Sequence, residues 1–205
     1  MSEHQTGEQS SEILVEHRSS QGLLLTAVRG SFLVSAVERL KESPHAERYM
    51  AALSPELRDQ INFSLAMSWV SLDLLGEHCR VCDDLMLTDS ELLELGGQTA
   101  TSMSRQLLGT LLKTAGATPF TALSQLSRVY DRVLQGGAVS AFRVGPKDLQ
   151  IEHLGNRLSA SRYFRQTAYG FYRSLAELFS KKAYVKAARP RATSEHAFAM
   201  LISWV

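Results

Sequence analysis

"AVSAFRVGPKDLQIEHL", residues 138–154, holds two runs of β-branched and alternating apolar residues on either side of Gly145-Pro146-Lys147. Such runs, 138–144 and 148–153, read as two strands joined by a tight turn. The period then changes. In "SRYFRQTAYGFYRSLAELFS", residues 161–180, Phe164, Ala168, Phe171, Leu175 and Leu178 recur at threes and fours, the mark of an amphipathic helix. Two more β-like runs follow at 183–188 and 196–204. The resulting ββαββ order predicts an antiparallel sheet with one long helix packed on it.

Upstream of this block the pattern is helical. Thr118-Pro119 opens a helix that Gly136-Gly137 closes. A helix over 99–115 turns Met103, Leu107, Leu108, Leu111 and Leu112 inward. Thr88-Asp89-Ser90-Glu91 is a capping box, its hydroxyl and carboxylate placed to satisfy each other's backbone amides; the helix it starts is expected to stop at Gly96-Gly97. Ser54-Pro55-Glu56 starts another, with Leu57, Ile61, Leu65 and Trp69 in steps of four, expected to run on through Leu72 and Leu75 to Gly76. Ser31 caps a helix to Lys41. Runs at 13–17 and 23–28 read as a hairpin turned at Ser19-Ser20-Gln21-Gly22. The fold class is therefore α+β: an N-terminal helical region, then the ββαββ sheet, expected as one domain over 12–205 behind a polar, disordered tail at 1–11.

Composition narrows the function classes. Of 205 residues, 44% are hydrophobic and 21% charged, enough apolar side chain for a sizeable core. The formal net charge of +1 gives no bulk attraction to nucleic acid or acidic lipid. No apolar run reaches membrane-spanning length, and the N-terminus lacks the apolar core of a secretion signal. With Cys79 and Cys82 as its two cysteines, the chain reads as a cytoplasmic protein with reduced thiols.

Several stretches carry a resemblance: "VRGSFLVSAVERL" (28–40), "LSPELRDQI" (53–61), "SWVSLDLL" (68–75), "LLELGGQTA" (92–100), "FRVGPKDLQIEHLG" (142–155), the helix over 164–179 and "FAMLISW" (198–204). Together they resemble a family of uncharacterised proteins of about this length found in many copies in myxobacteria. That family is similar in layout to the 4-vinyl reductase domain, the haem-nitric-oxide-binding domain and the small subunits of the TRAPP trafficking complex. The resemblance implies a bacterial module that binds an apolar or tetrapyrrole ligand, or pairs with its own kind. Haem-nitric-oxide-binding domains use a proximal histidine on the helix before the sheet and a Tyr-x-Ser-x-Arg clamp for the propionates. The corresponding helix here, 121–134, has no histidine. The clamp region, 153–162, lacks the Tyr and Ser at that spacing and leaves only Arg157 to stand in. The expectation is against haem.

Other chemistry is sparse. Cys79-x-x-Cys82 with His78 could chelate zinc or act as a redox pair, yet no second ligand pair accompanies it, and two thiols near a helix end is the plainer reading. The basic run Lys181, Lys182, Lys186, Arg189 and Arg191 suits an edge strand guarded against pairing better than nucleic-acid binding. No G-x-S-x-G, P-loop, G-x-G-x-x-G or H-E-x-x-H occurs, so the reading leans to a non-enzymatic module. Its ligand-binding candidates are Trp69, Phe164, Gly170, Phe171 and Tyr172. Gly170 interrupts a helix at a cost that a tight contact would repay. The tyrosines at 163, 169 and 172 suit a pocket mouth or a dimer seam, and Trp69 with Met67 and Phe63 could face a pocket between helices and sheet. A small apolar molecule or a protein partner, in a homodimer, is the expected company. The alternatives are a zinc or redox protein built on Cys79 and Cys82, and a TRAPP-like scaffold with an acyl-chain channel.

Overall fold

The computed structural model describes residues 11–107 and 118–205, the side chains of 102–107 excepted. The polar tail falls almost wholly outside these residues, as does the second half of the helix expected over 99–115, with Leu108, Leu111 and Leu112. The chain runs β1 (Glu12–Arg18), β2 (Ala27–Arg29), α1 (Gly30–Lys41), α2 (Ala46–Ala52), α3 (Pro55–Phe63), β3 (Trp69–Ser71), α4 (Leu72–Asp84) and α5 (Asp89–Leu107). It continues through α6 (Pro119–Leu123), α7 (Leu126–Val133), β4 (Leu134–Gln135), β5 (Ala138–Gly145), β6 (Asp148–Leu154), a 3-10 turn (Arg157–Ala160), α8 (Arg162–Glu177), β7 (Ala183–Ala188) and β8 (Phe198–Trp204). No helix among the described residues is long and apolar enough to cross a membrane.

The ββαββ block forms as the sequence predicts. Its strands pair antiparallel in the order β1-β5-β6-β8-β7, with Val139 opposite His153, Ala141 opposite Ile151, and Ile151 opposite Met200. Because side chains alternate along a strand, Val139, Ala141, Leu149, Ile151, Met200 and Ile202 all fall on one face and are fully buried. Helix α8 covers that face. Ser161 caps it by accepting from the Phe164 amide, and the Tyr163 amide donates to the Asp83 carboxylate at 2.6 Å.

Three local expectations are corrected. The runs at 13–17 and 23–28 do not pair with each other. Strand β1 joins the main sheet beside β5, while β2 sits between β3 and β4 in a second, three-stranded sheet. The helix expected from Pro55 to Gly76 is two helices split by β3, with its backbone zipped to β2 from Trp69 to Ser71. Gly96-Gly97 does not end α5, which runs straight through them. Here α5 crosses α8 backbone to backbone. A Cβ on Gly96 would fall on the Thr167 carbonyl oxygen, and one on Gly170 on that of Leu93. Glycine is tolerated inside both helices because only a residue without a Cβ permits this approach.

Two apolar clusters result. One gathers α1 to α4, and the other fills the space under the sheet and α8. Leu134 and Phe164 pack against both, and a cavity opens at their junction.

Candidate ligand cavity between the helices and the sheet

The cavity has a volume of about 200 Å³. Leu25, Val28 and Phe32 close one side, Leu75, His78 and Cys79 come from α4, and Leu95, Gly96 and Thr99 from α5. Helices α6 and α7 contribute Ala122, Leu123, Leu126, Val129, Tyr130 and Val133, while His153, Phe198 and the α8 residues Tyr163, Phe164, Phe171, Tyr172 and Leu175 form the sheet side. No Asp, Glu, Lys or Arg is among the described lining residues.

Two buried imidazoles mark this largely apolar space. His78 lies between two tyrosines, with Tyr49 Oη 2.9 Å from Nδ1 and Tyr163 Oη 3.2 Å from Nε2. His153 projects from β6, its Nε2 2.8 Å from Tyr172 Oη and its ring stacked on Phe198 at 5.0 Å between centroids. Burial pushes both imidazole pKa values down to about 4, because an apolar surrounding disfavours the charged ring. Both are therefore neutral at pH 7, His78 with both nitrogens engaged and His153 with Nδ1 unengaged among the described residues. The same burial pushes the Tyr172 and Tyr163 phenols up, so both remain protonated.

The sequence candidates divide. Phe164, Phe171 and Tyr172 line the cavity. Gly170 does not; its close contact is the Leu93 carbonyl of α5. Trp69 lies elsewhere, half-exposed on β3 beneath the Arg29 guanidinium, 3.9 Å from the ring centroid. Phe63 and Met67 are on the surface, 83% and 82% exposed, because β3 turns the end of this segment away from the interior. The α8 tyrosines are inverted as well. Tyr163, Tyr169 and Tyr172 are buried, and Leu178, expected in the core, is exposed. Cys79 lines the cavity and Cys82 is buried beside it. Burial raises both thiols, and no group of three metal-ligating side chains occurs among the described residues. His153 is not among the sequence candidates because the family resemblance places the proximal histidine on the helix at 121–134. Its signal is a histidine on the apolar face of a buried strand.

No protein-family profile and no curated protein matches this chain. Solved structures do. An H-NOX protein from K. algicida, in the Fe(II) unliganded form, aligns over 86% of this chain and 96% of its own at 10% identity, with a TM-score of 0.61. A structure concerned with modulating haem redox potential through protein-induced porphyrin distortion aligns over 86% and 99% at 12% identity, TM-score 0.54. A point mutant of the T. tengcongensis H-NOX aligns over 86% and 97%, again at 12% and 0.54. This chain has an H-NOX-like fold.

That likeness overturns the expectation against haem. Among these structural neighbours is one from work on the function of haem distortion in the H-NOX family, so absence of a histidine from one helix is not a ground for exclusion. The physical reason lies in the fold, which brings two imidazoles to the cavity from other elements, α4 and β6. Tested against haem, the described residues offer one histidine nitrogen for an iron, His153 Nδ1. His78 is engaged at both nitrogens, whereas among the described residues His153 is engaged at Nε2 alone. The propionates find no cation among the described lining residues, and Arg157 is spent on Asp73 at 2.9 Å.

Proposed function

We propose that this protein is a ligand-sensing regulatory module whose cavity takes up a largely apolar molecule, with haem the first candidate. The observation that carries the reading is an aromatic-walled cavity at the junction of the helices and the sheet, its described lining free of charged side chains and furnished with two neutral imidazoles. Binding sites of this kind are concave and mostly apolar, with a few polar groups that fix orientation. The H-NOX-like fold supports a sensing role by analogy. If haem is the ligand, His153 would hold the iron and Phe164, Phe171 and Leu126 would pack on the ring; the group would supply a site for a diatomic gas. Occupancy would be passed on through α8, which forms one wall and also crosses α5 backbone to backbone. A protein partner or a second copy of the chain would read that change.

The test is a titration of the purified chain with hemin, followed by absorbance, beside the same titration of His153→Ala. A saturable, shifted Soret band that weakens in the variant supports haem as the ligand. Hemin that remains free in both removes haem and leaves the search to iron-free apolar molecules.

A further inference from the structure

The two histidine networks of the cavity differ in how their protons are used. Around His78 both ring nitrogens have partners. With the ring proton on Nε2, Tyr49 donates its hydroxyl to Nδ1 and Nε2–H donates to Tyr163 Oη, with Cys82 Sγ 3.7 Å from Nε2. A neutral imidazole has one N–H and one lone pair, and this chain uses both.

The pair His153–Tyr172 does not close. The single contact of 2.8 Å joins Nε2 to Tyr172 Oη, and neither His153 Nδ1 nor Tyr172 Oη has another hydrogen-bond partner among the described residues. Both side chains are more than nine-tenths buried and both line the cavity. If the ring proton is on Nδ1, the tyrosine donates to Nε2 and Nδ1–H has no acceptor. If it is on Nε2, that N–H donates to the tyrosine oxygen and the phenol O–H has no acceptor. In either tautomer one donor of this cavity-lining pair is left without a partner among the described residues, and Nδ1 is not sealed off but open to a small molecule. The described lining residues offer no carboxylate to take that donor.

We propose that the cavity's occupant brings a hydrogen-bond acceptor, a carbonyl-type oxygen on an uncharged apolar frame, to the His153–Tyr172 pair. This rests on the reading of the cavity as a ligand site, applies to an iron-free occupant rather than to haem, and adds the chemistry of one end of that ligand. The occupant would present its acceptor to whichever of Nδ1–H and the phenol O–H is free, and its apolar body to Phe164, Phe171 and Leu126.

Two probes isolate the point: benzophenone and diphenylmethane, alike in size and differing by a carbonyl in place of a methylene. Calorimetric titration of the full chain is expected to show benzophenone binding about fivefold to tenfold more tightly, the worth of about one neutral hydrogen bond. In Tyr172→Phe and in His153→Phe the ratio should fall toward one while diphenylmethane binding persists, which also shows that the variants are folded. Equal binding of the two probes by the unmodified chain overturns the acceptor and leaves the cavity standing as a ligand site. Binding of neither overturns both.

Discussion

Gly170 of α8 lies directly against the carbonyl oxygen of Leu93 in α5, with no room for a Cβ between them. The obstacle is backbone on both sides, so neither helix can yield by turning a side chain. Gly170→Ala is expected to destabilise the protein by about 3 kcal/mol, at the upper end of overpacking costs, despite alanine's better helix propensity. Gly76 of α4 is the control, because a Cβ there would meet only Leu158 Cδ2 at 3.4 Å. Gly76→Ala should stabilise by up to about 1 kcal/mol. Urea denaturation of both variants checks the pair, and a neutral Gly170→Ala would refute the helix contact.

This contact shows what sequence can and cannot supply. The ββαββ order is legible because period-two and period-3.6 stretches alternate cleanly between residues 138 and 204. The Thr88–Glu91 box is legible because both partners are local. Gly96-Gly97 reads as a stop because glycine ends helices in isolation, and only the position of α8 explains why α5 continues. Strand β3 is hidden because Leu57, Ile61, Leu65 and Trp69 keep helical spacing, while its pairing partner β2 lies about forty residues away. The cavity is legible only on α8, where Phe164, Phe171 and Tyr172 stand out. His78 and His153 reach it from elements distant in the chain.

The capping box predicts an acid dependence. Glu91 accepts from the Thr88 amide and hydroxyl, each at 2.7 Å, and from His45 Nε2 at 2.8 Å. The Thr88 hydroxyl, its amide and then His45 hold the Glu91 carboxyl down at about 2. A carboxyl lower in the folded state than in the unfolded chain contributes stability that is fully present above the unfolded value, about 4.3, and is lost as pH falls toward 2. Glu91→Gln should therefore flatten the stability profile in that window. Thr88→Ala should cost about 1 kcal/mol at pH 7 through loss of the N-cap. Urea midpoints at pH 7, 4 and 3 test both.

The two imidazoles act over a higher window. His78 and His153 titrate near 4 in the folded protein and near 6.5 in the unfolded chain. Between those values the unfolded state binds more protons, so stability falls as pH drops from about 6.5 to about 4. His153→Phe, which keeps a ring against Phe198, should remove part of that slope. A midpoint indifferent to pH in this range would show that neither imidazole is buried neutral.

Arg29 ties three segments together. Its Nε and Nη2 donate to the Arg132 carbonyl at 3.1 and 3.0 Å, its Nη1 donates to the Met67 carbonyl at 2.9 Å, and its guanidinium covers Trp69. A lysine has neither the fork nor the flat face for this arrangement. Arg29→Lys is expected to cost about 1–2 kcal/mol and to change Trp69 fluorescence. Unchanged emission with unchanged stability would mean that the guanidinium does not rest on the indole.

The thiols offer the clearest separation between a buried structural pair and a redox pair. Cys79 and Cys82 are each about 1% exposed. Burial first, then Asp83 for Cys79 and Cys79 for Cys82, pushes their ionisation up. Only the thiolate attacks a disulfide, and a working redox cysteine has a depressed pKa and an open path to solvent. These two have neither. Modification by dithiodipyridine at pH 7 should therefore wait on opening of the fold and run at least about a hundredfold slower than in concentrated urea. Cys79 also lines the cavity, so a ligand that stabilises the closed form should slow the reaction further by mass action. Rapid labelling of the native chain would show an accessible pair and reopen the redox reading of the Cys-x-x-Cys motif.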